Sequence, residues 1–230
     1  MGDAVWSMYD YNRGCCDNIC YSGVADIFRL PKFSLSFFRT QIAEGSMLPS
    51  GKMPYEVFIP AYRDEILSDT VMVYGNVDEV ELVLNGKTIR RQTADKGPDS
   101  DYIPVPNGGN GKNLHFPPFT FYGVPKERGV LKAVGYHQGK KVAEYTVKTP
   151  GVPERLDITY FESGKPATKN DLLIVYVRML DKQGVLCPVN GIPVELSVQG
   201  GEIVGPTSYP LEAGVASFLV RTGEISKINI

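Results

Sequence analysis

The stretch "EVELVLNGKTIR", residues 79–90, indicates the fold class of this chain. Val80, Leu82 and Leu84 recur at every second position, which is the period of a β-strand that buries one face. Asn85-Gly86 follows directly, and this pair suits the two positive-φ positions of a type I′ turn. The stretch therefore predicts an antiparallel β-hairpin with a two-residue loop.

The loop length also predicts which side chains face each other across the hairpin. A two-residue loop places Leu82 opposite Ile89 on the apolar face and Glu81 opposite Arg90 on the solvent face. Opposite charges at directly paired positions stabilise a hairpin modestly. We therefore expect one buried apolar pair and one charged pair.

Short β-rich runs bounded by Gly, Pro and Asp lie on both sides of this hairpin. They are "YEVFIPAY" (55–62), "TVMVYGNV" (70–77), "FPPFTF" (116–121) and "GVLKAVGYHQGKKVAEYTVKT" (129–149). Gln138-Gly139 predicts a second hairpin turn, and the Gly-, Pro-, Asn- and Asp-rich residues 94–113 predict a long loop. Turn signals at this density are typical of a small β-sandwich, which we expect to occupy residues 46–150.

A second β-rich region follows the junction Pro150-Gly151-Val152-Pro153. Four runs of alternating apolar residues indicate its strands: Leu156, Ile158 and Tyr160; Leu173, Val175, Val177 and Met179; Ile192, Val194, Leu196 and Val198; and Ala216, Phe218 and Val220. We therefore expect a second, immunoglobulin-like sandwich over residues 151–230, and a mainly β chain.

Residues 1–45 differ in character from both of these regions. Pro31 suits the first turn of a helix. Apolar residues follow four positions apart, as the pair Phe33 and Phe37 and the pair Phe38 and Ile42, which is the spacing of one helix face. A single helix with this much exposed phenylalanine is not stable alone. We expect the segment to stay mobile, to dimerise or to pack on the first sandwich.

The order of these parts resembles a known family. "WSMYDYNRG" (6–14) and "SGVADIFRLPKFSLSFFRTQ" (22–41) resemble the end of the catalytic barrel in glycoside hydrolase family 2, in its bacterial β-galactosidase-like branch. "VDEVELVLNGK" (77–87), "PPFTF" (117–121) and "LKAVGYHQGKKVAEYTVKTPG" (131–151) resemble the β-sandwich module that follows it. The last stretch is similar to a bacterial immunoglobulin-like domain. The resemblance implies two tandem immunoglobulin-like β-sandwiches, preceded by the last strand and helix of a (β/α)8 barrel in residues 1–45.

The resemblance also implies an activity and its location. Retaining glycosidases use two carboxyl groups about 5 Å apart, one as acid and one as nucleophile. In this family both are glutamates of earlier barrel strands, so we expect them upstream of Met1 and expect no catalytic residue here. The resemblance thus implies that the chain is the C-terminal part of a β-galactosidase-like enzyme that acts on carbohydrate, and that it is inactive alone. Its expected partner is the upstream barrel or a second copy of the chain. The alternative is a stand-alone immunoglobulin-like module that binds carbohydrate or serves as a cell-surface spacer.

Four residues are candidates for contact with sugar in the intact enzyme. The resemblance places Trp6 against the apolar face of the sugar, a stacking role that suits an indole. Asp10, Asn12 and Arg13 are candidates to bind sugar hydroxyls or to order the rim of the cleft. Asp10 and Arg13 are equally consistent with a structural ion pair on a loop.

Cysteine, histidine and aromatic residues are further candidates for a metal site, a disulfide or a sugar-binding surface. Cys15, Cys16 and Cys20 have no His nearby and match no common spacing of zinc ligands, so free or partly buried thiols are favoured. A disulfide is also possible, but one between the adjacent Cys15 and Cys16 would be strained. His115 and His137 lie far apart in the sequence, and we expect neither metal nor cofactor. An aromatic run could form a sugar-binding platform, but core packing is favoured for it; its members are Phe116, Phe119, Phe121 and Tyr122.

The composition excludes some classes of partner and location. The chain has 230 residues, 43% of them hydrophobic, and a net charge of −2, which gives no electrostatic case for nucleic acid. No apolar run approaches the length of about 20 residues that a membrane helix needs. No signal peptide is visible. Family habit implies a periplasmic or extracellular location for the parent enzyme.

Overall fold

The computed structural model describes residues 7–12, 14, 19–61, 68–95, 114–161 and 167–229, with the backbone alone for residues 224–229. Contacts between residues divide the chain into two compact units, residues 1–149 and 150–230. Each unit consists mainly of antiparallel β-strands. The predicted mainly β fold is therefore confirmed.

The first unit begins with a short antiparallel pair, β1 (Tyr11–Asn12) and β2 (Ile19–Cys20), followed by helix α1 (Phe33–Thr40). Lys32 is the N-cap, so the expectation that Pro31 lies in the first helical turn is wrong. Pro31 instead forms an antiparallel bridge with Ala25, which keeps the chain extended until Lys32. The helix ends before Ile42, which therefore lies outside it.

Helix α1 packs against the strands that follow it. The Phe33 and Phe58 ring centroids are 5.9 Å apart, and those of Phe37 and Tyr74 are 5.2 Å apart. Packing on the first sandwich is thus the arrangement that the structure shows for this helix. The packing is partial, because Thr40 is the one helix residue that is fully buried.

The rest of the first unit forms two main sheets. A four-stranded sheet has the order β11-β10-β7-β8, and a three-stranded sheet has the order β5-β6-β9. The strands are β3 (Met47–Leu48), β4 (Gly51–Lys52), β5 (Val57–Phe58), β6 (Val71–Gly75), β7 (Glu79–Leu84), β8 (Lys87–Thr93), β9 (Phe119–Phe121), β10 (Val130–His137) and β11 (Lys140–Lys148).

The core of this unit lies between the two main sheets. Val80, Leu82 and Leu84 of β7 are buried, as the alternation predicted, and they belong to one cluster with Phe119 and Phe121 of β9. Full burial of such side chains stabilises a fold by about 1.5–3 kcal/mol each. Phe119 and Phe121 are therefore core residues and cannot belong to a sugar-binding platform.

The hairpin between β7 and β8 has the predicted turn. Asn85 and Gly86 have φ angles of 50° and 80°, and Leu84 pairs with Lys87. Gln138 and Gly139, with φ angles of 48° and 76°, form the second predicted turn, between β10 and β11.

The predicted register of the first hairpin is wrong beyond its second pair. Leu82 pairs with Arg90 rather than Ile89, and Glu81 pairs with Arg91 rather than Arg90. A β-bulge between Leu82 and Val83 is the reason, because it leaves Ile89 as an extra residue on β8. Every pair beyond the bulge is shifted by one residue.

A buried amide joins the end of α1 to the sheets. Asn76, in the turn between β6 and β7, is 2% exposed. Its Nδ2 donates to the carbonyls of Ile42 and Pro54, each at 3.0 Å, and its Oδ1 accepts the Glu56 N–H at 2.6 Å. The side chain thus holds the end of the helix segment and the connection that leads to β5.

The second unit contains a four-stranded sheet, β12-β13-β17-β15, and a two-stranded sheet, β14-β16. Its core is a cluster that includes Val175, Val177, Leu196, Phe218 and Val220. Its strands are β12 (Pro153–Tyr160), β13 (Leu172–Asp181), β14 (Pro193–Glu195), β15 (Ser197–Ile203), β16 (Ser208–Pro210) and β17 (Val215–Asn229).

Two residues of the predicted alternating runs lie outside this core. Tyr160 is 57% exposed at the end of the edge strand β12, and Ile192 is 40% exposed just before β14 begins. Both stand where a strand ends or has yet to start, so sheet pairing does not direct them inward.

A buried carboxylate orders the turn that follows β13. Asp181 accepts hydrogen bonds from the N–H groups of Gly151 at 2.7 Å, Gln183 at 2.9 Å and Val185 at 2.8 Å. These donors, that of Gly151 first, hold the pKa of Asp181 below its ordinary value.

Candidate functional site

The polar segment around Asp10 is held between two stretches of extended chain. Tyr9 and Ala25 form a parallel bridge, and the Asp10 N–H donates to the Ala25 carbonyl at 3.0 Å. The chains approach so closely at Gly23 that a β-carbon there would lie 2.3 Å from the Asp10 nitrogen. A glycine is therefore required at this position.

The Asp10 carboxylate is buried and bound by groups of this chain. Its Oδ1 accepts the Gly23 N–H at 2.8 Å and the Lys32 ammonium at 2.6 Å. Lys32 Nζ also donates to the Tyr21 carbonyl at 3.1 Å. Because Lys32 is the N-cap of α1, the ion pair joins the start of the helix to the segment that carries Asp10.

A second aspartate closes the turn that leads to the helix. Asp26 Oδ1 accepts the Leu30 N–H at 2.8 Å, and the Asp26 N–H donates to the Leu30 carbonyl at 3.0 Å. Burial raises the pKa of the Asp26 carboxyl, and the nearby charge of Asp10 acts in the same direction. Arg29, at φ 67°, lies in this turn, with its guanidinium 5.7 Å from the centre of the Tyr9 ring.

The structure describes two of the four predicted site residues and gives them different surroundings. Asp10 is buried, whereas Asn12 is exposed and its Oδ1 accepts the Gly14 N–H at 2.8 Å. Trp6 and Arg13 lie outside the described residues, so the predicted stacking role and the Asp10–Arg13 pair stay predictions. Sequence reasoning missed Lys32, the cation that does contact Asp10, because the two are 22 positions apart.

Two cysteines, Cys20 and Cys187, lie in the described part of the chain. Cys20 Sγ lies 3.4 Å from Ser22 Oγ, while Cys15 and Cys16 lie outside the described residues. Burial raises the pKa of the Cys187 thiol. Within the described ranges, no group of three or more His, Cys, Asp or Glu side chains could hold a metal ion.

A second polar cluster occupies the solvent face of the four-stranded sheet. Glu81 accepts hydrogen bonds from the hydroxyls of Thr88 and Tyr136, each at 2.6 Å, and these donors lower the pKa of Glu81. The same bond raises the pKa of Tyr136. The Arg91 guanidinium lies 3.7 Å from the centre of the Tyr136 ring and binds Glu79 at 2.5 Å. These contacts join β8, β7 and β10 and stabilise the sheet.

Comparison with known proteins finds that the chain is similar to parts of several glycoside hydrolases. A family model described as "Domain of unknown function (DUF4982)" matches residues 68–143, from β6 into β11. The β-galactosidase of Thermoanaerobacter pseudethanolicus is 32% identical, in an alignment that covers 96% of this chain and 30% of that protein. The β-galactosidase of Rhizobium radiobacter is 30% identical over 47% of this chain and 78% of that protein. A solved β-glucuronidase from glycoside hydrolase family 2 covers 91% of this chain, at a TM-score of 0.71 and 21% identity.

The chain belongs to glycoside hydrolase family 2. The predicted resemblance to the C-terminal part of a family 2 enzyme, based on residues 6–14, 22–41 and the sandwich motifs, is therefore confirmed. The chain spans 30% of the length of the T. pseudethanolicus relative and 21% of the solved β-glucuronidase.

None of the described helical residues forms a segment long and apolar enough to cross a membrane.

Proposed function

We propose that this chain is the C-terminal part of a retaining β-glycosidase of the β-galactosidase type. Residues 1–45 supply the last strand, loop and final helix of its (β/α)8 barrel, and residues 46–150 and 151–230 form two immunoglobulin-like sandwiches. The observation that carries the proposal is the alignment of 96% of the chain with 30% of a β-galactosidase. The chain itself is non-catalytic and serves as structural or accessory domains.

The two catalytic glutamates then belong to the remainder of the enzyme. A retaining mechanism needs an acid and a nucleophile about 5 Å apart across the scissile bond. The state of Asp10 supports this assignment, because its buried carboxylate is bound to Lys32 and to the Gly23 N–H. A carboxylate held in this way is suited to positioning the chain around it.

Trp6, Asp10, Asn12 and Arg13 form one wall of the sugar cleft in this proposal. Asp10 acts there as a positioning residue, since its ion pair with Lys32 fixes residues 7–12 relative to α1. Trp6 stacks on the sugar ring, and the polar side chains of Asn12 and Arg13 complete the rim.

The surface of the N-terminal segment supports an upstream barrel as its partner. Large apolar side chains are exposed at several places among the described residues of this segment, with Tyr21 74% exposed. A partner barrel that covered these side chains would remove apolar area from water, which favours association. The side chains concerned are Met8, Tyr9, Tyr21, Ile27 and Phe38.

The parent enzyme is assigned to the periplasm or the extracellular space. The support is that enzymes of this type meet polysaccharide outside the cytoplasm.

The test is hydrolysis of a panel of aryl β-galactosides, β-glucosides and β-glucuronides by the purified chain at high concentration. We expect no turnover. Turnover that persists through repurification would contradict the proposal, because it would require an acid and a nucleophile within these residues. Expression together with the barrel of the T. pseudethanolicus β-galactosidase, truncated where the alignment begins, is the positive arm, and recovered activity is expected there.

A further inference from the structure

An open groove lies between α1 and the edge strand β11 of the first unit. Its volume is about 350 Å³, and it is lined by Ser36 of α1, by Tyr55, Glu56 and Phe58 at β5, and by Glu144 and Tyr145 of β11. Sites for small molecules typically occupy about 300–1,000 Å³. Asp10 and Asn12, the two residues of the sugar cleft that the structure describes, do not line this groove.

Three aromatic rings border the groove and are fixed by their neighbours. The Phe58 and Tyr145 ring centroids are 4.7 Å apart, and Phe33 packs on Phe58 from the helix side. Tyr55 stacks on His137 at 5.0 Å. Phe58 offers an apolar ring, and the two tyrosines add a hydroxyl to theirs, which suits a ligand that has both C–H faces and hydroxyl groups.

Two carboxylates border the groove, and each has a cation beside it. Glu56 is bound by the Arg39 guanidinium, with Nε 3.1 Å from Oε2, and Glu144 is bound by Lys141 Nζ at 2.5 Å. The bond from Lys141 lowers the pKa of Glu144. An ionised carboxylate accepts about four hydrogen bonds, so these groups can accept from ligand hydroxyls as well.

We propose that this groove, the α1 groove, binds a neutral hexopyranose unit of an oligosaccharide. Neutrality follows from the ion pairs, because the cations beside these carboxylates are already engaged. Arg39 pairs with Glu56, and Lys141 and Lys132 pair with Glu144, so a uronate would have to compete with a carboxylate of this chain for each of them. The edge strand β11 adds backbone donors and acceptors, which the hydroxyls of a sugar can use. The choice of carbohydrate as the ligand rests on the proposed function. The existence and shape of the groove are observed independently of it.

The experiment is an NMR titration of the isotope-labelled chain with lactose, cellobiose and galacturonate. A single sugar unit has few non-hydrogen atoms, so we expect a dissociation constant of about 1 mM for the neutral sugars. Saturable shifts should centre on residues 55–58 and 143–145. Shifts centred elsewhere, tighter binding of galacturonate, or no saturable shift with either neutral sugar would each overturn the proposal.

A pair of helix variants tests the location of the site. Ser36→Tyr fills the groove from α1, whereas Ser34→Tyr places the same side chain at an exposed position of the same helix. We expect Ser36→Tyr to weaken sugar binding by about tenfold or more, and Ser34→Tyr to change it by less than about twofold. Equal binding by both variants would overturn the proposal, with thermal unfolding used to verify that both are folded.

A third variant keeps the shape of the groove and changes its chemistry. Glu144→Gln replaces a half-exposed carboxylate by an amide of the same size. We expect weaker binding of the neutral sugars and a smaller discrimination against galacturonate. These titrations use no chromogenic substrate, so their failure would leave the aryl glycoside result and the proposed barrel fragment unaffected.

Discussion

The side-chain amide of Gln41 and the backbone of Phe116 are hydrogen-bonded in both directions. Gln41 Nε2 donates to the Phe116 carbonyl at 2.7 Å, and the Phe116 N–H donates to Gln41 Oε1 at 3.1 Å. Gln41 is the C-cap of α1, and Phe116 precedes β9 by three residues. The end of the helix is thus bonded to a segment 75 positions further along the chain.

Gln41→Glu should destabilise the first unit. The carboxylate keeps the acceptor for Phe116 N–H but loses the donor, so it faces the Phe116 carbonyl with no hydrogen between them. We expect a loss of about 1–3 kcal/mol in the free energy of unfolding, measured by urea titration. Gln199→Glu, the same change at an exposed position of β15, is the control and should stay within about 0.5 kcal/mol.

Asp10→Asn should loosen residues 7–32 before it affects the sheets. The change removes the charge that partners Lys32, whose side chain is 32% exposed against 2% for that of Asp10. Hydrogen bonds to charged groups contribute about 1.5–3 kcal/mol, and we expect a local loss of that size. Amide exchange at Gly23, whose N–H binds Asp10, should accelerate, while exchange in β7 and β10 stays unchanged.

Asp69→Asn is the matched control for this experiment. Asp69 is exposed and lies 3.8 Å from Lys126, and such surface pairs contribute about 0–1 kcal/mol. Equal effects of the two substitutions on Gly23 exchange would show that Asp10 has no special role in positioning this segment.

Asp181→Asn should destabilise the second unit in a pH-dependent way. The backbone donors lower the pKa of Asp181 in the folded chain, so the charged carboxylate stabilises the fold above its ordinary value of 3.8. This stabilisation is lost as the pH falls through the lower folded-state pKa. The difference in Tm between wild type and variant, followed by calorimetry, should therefore be largest near about pH 7 and shrink toward about pH 2. A difference that is constant with pH would contradict the assignment.

Asn76→Asp should destabilise the first unit more than its size suggests. The substitution keeps the acceptor for Glu56 N–H but removes the donors to the carbonyls of Ile42 and Pro54, which then face a carboxylate that is itself buried. Each unsatisfied buried group costs about 1–3 kcal/mol, and urea unfolding measures the sum. Asn190→Asp is the control, because the exposed Asn190 uses Oδ1 to accept the Ala213 N–H, a role that aspartate retains.

The local features of this fold could be predicted from sequence, and the contacts across the chain could not. The alternation of Val80, Leu82 and Leu84 and the turn at Asn85-Gly86 depend on neighbours within a few residues. The bulge at Ile89 depends on how β8 pairs with β7, and no residue type in the stretch signals it. The register was therefore predicted wrongly although the turn was predicted correctly.

The same distinction applies to the candidate site. The motif around Asp10 identified the family, but the partner of Asp10 is Lys32, which only the folded chain brings near. The start of α1 was misplaced for a similar reason, because the bridge between Pro31 and Ala25 extends the chain where proline alone would permit a helix. Trp6 and Arg13 stay predictions from the family motif.

The buried amide of Asn76 has a mechanical consequence. A hinge needs a connection whose backbone groups can exchange their hydrogen-bond partners. Here the connection after α1 is hydrogen-bonded to Asn76, whose side chain is buried in the turn between β6 and β7. A rotation of the sheets would therefore move the end of the helix with them. In a longer protein this joint would therefore fix the angle between α1 and the two main sheets of the first unit.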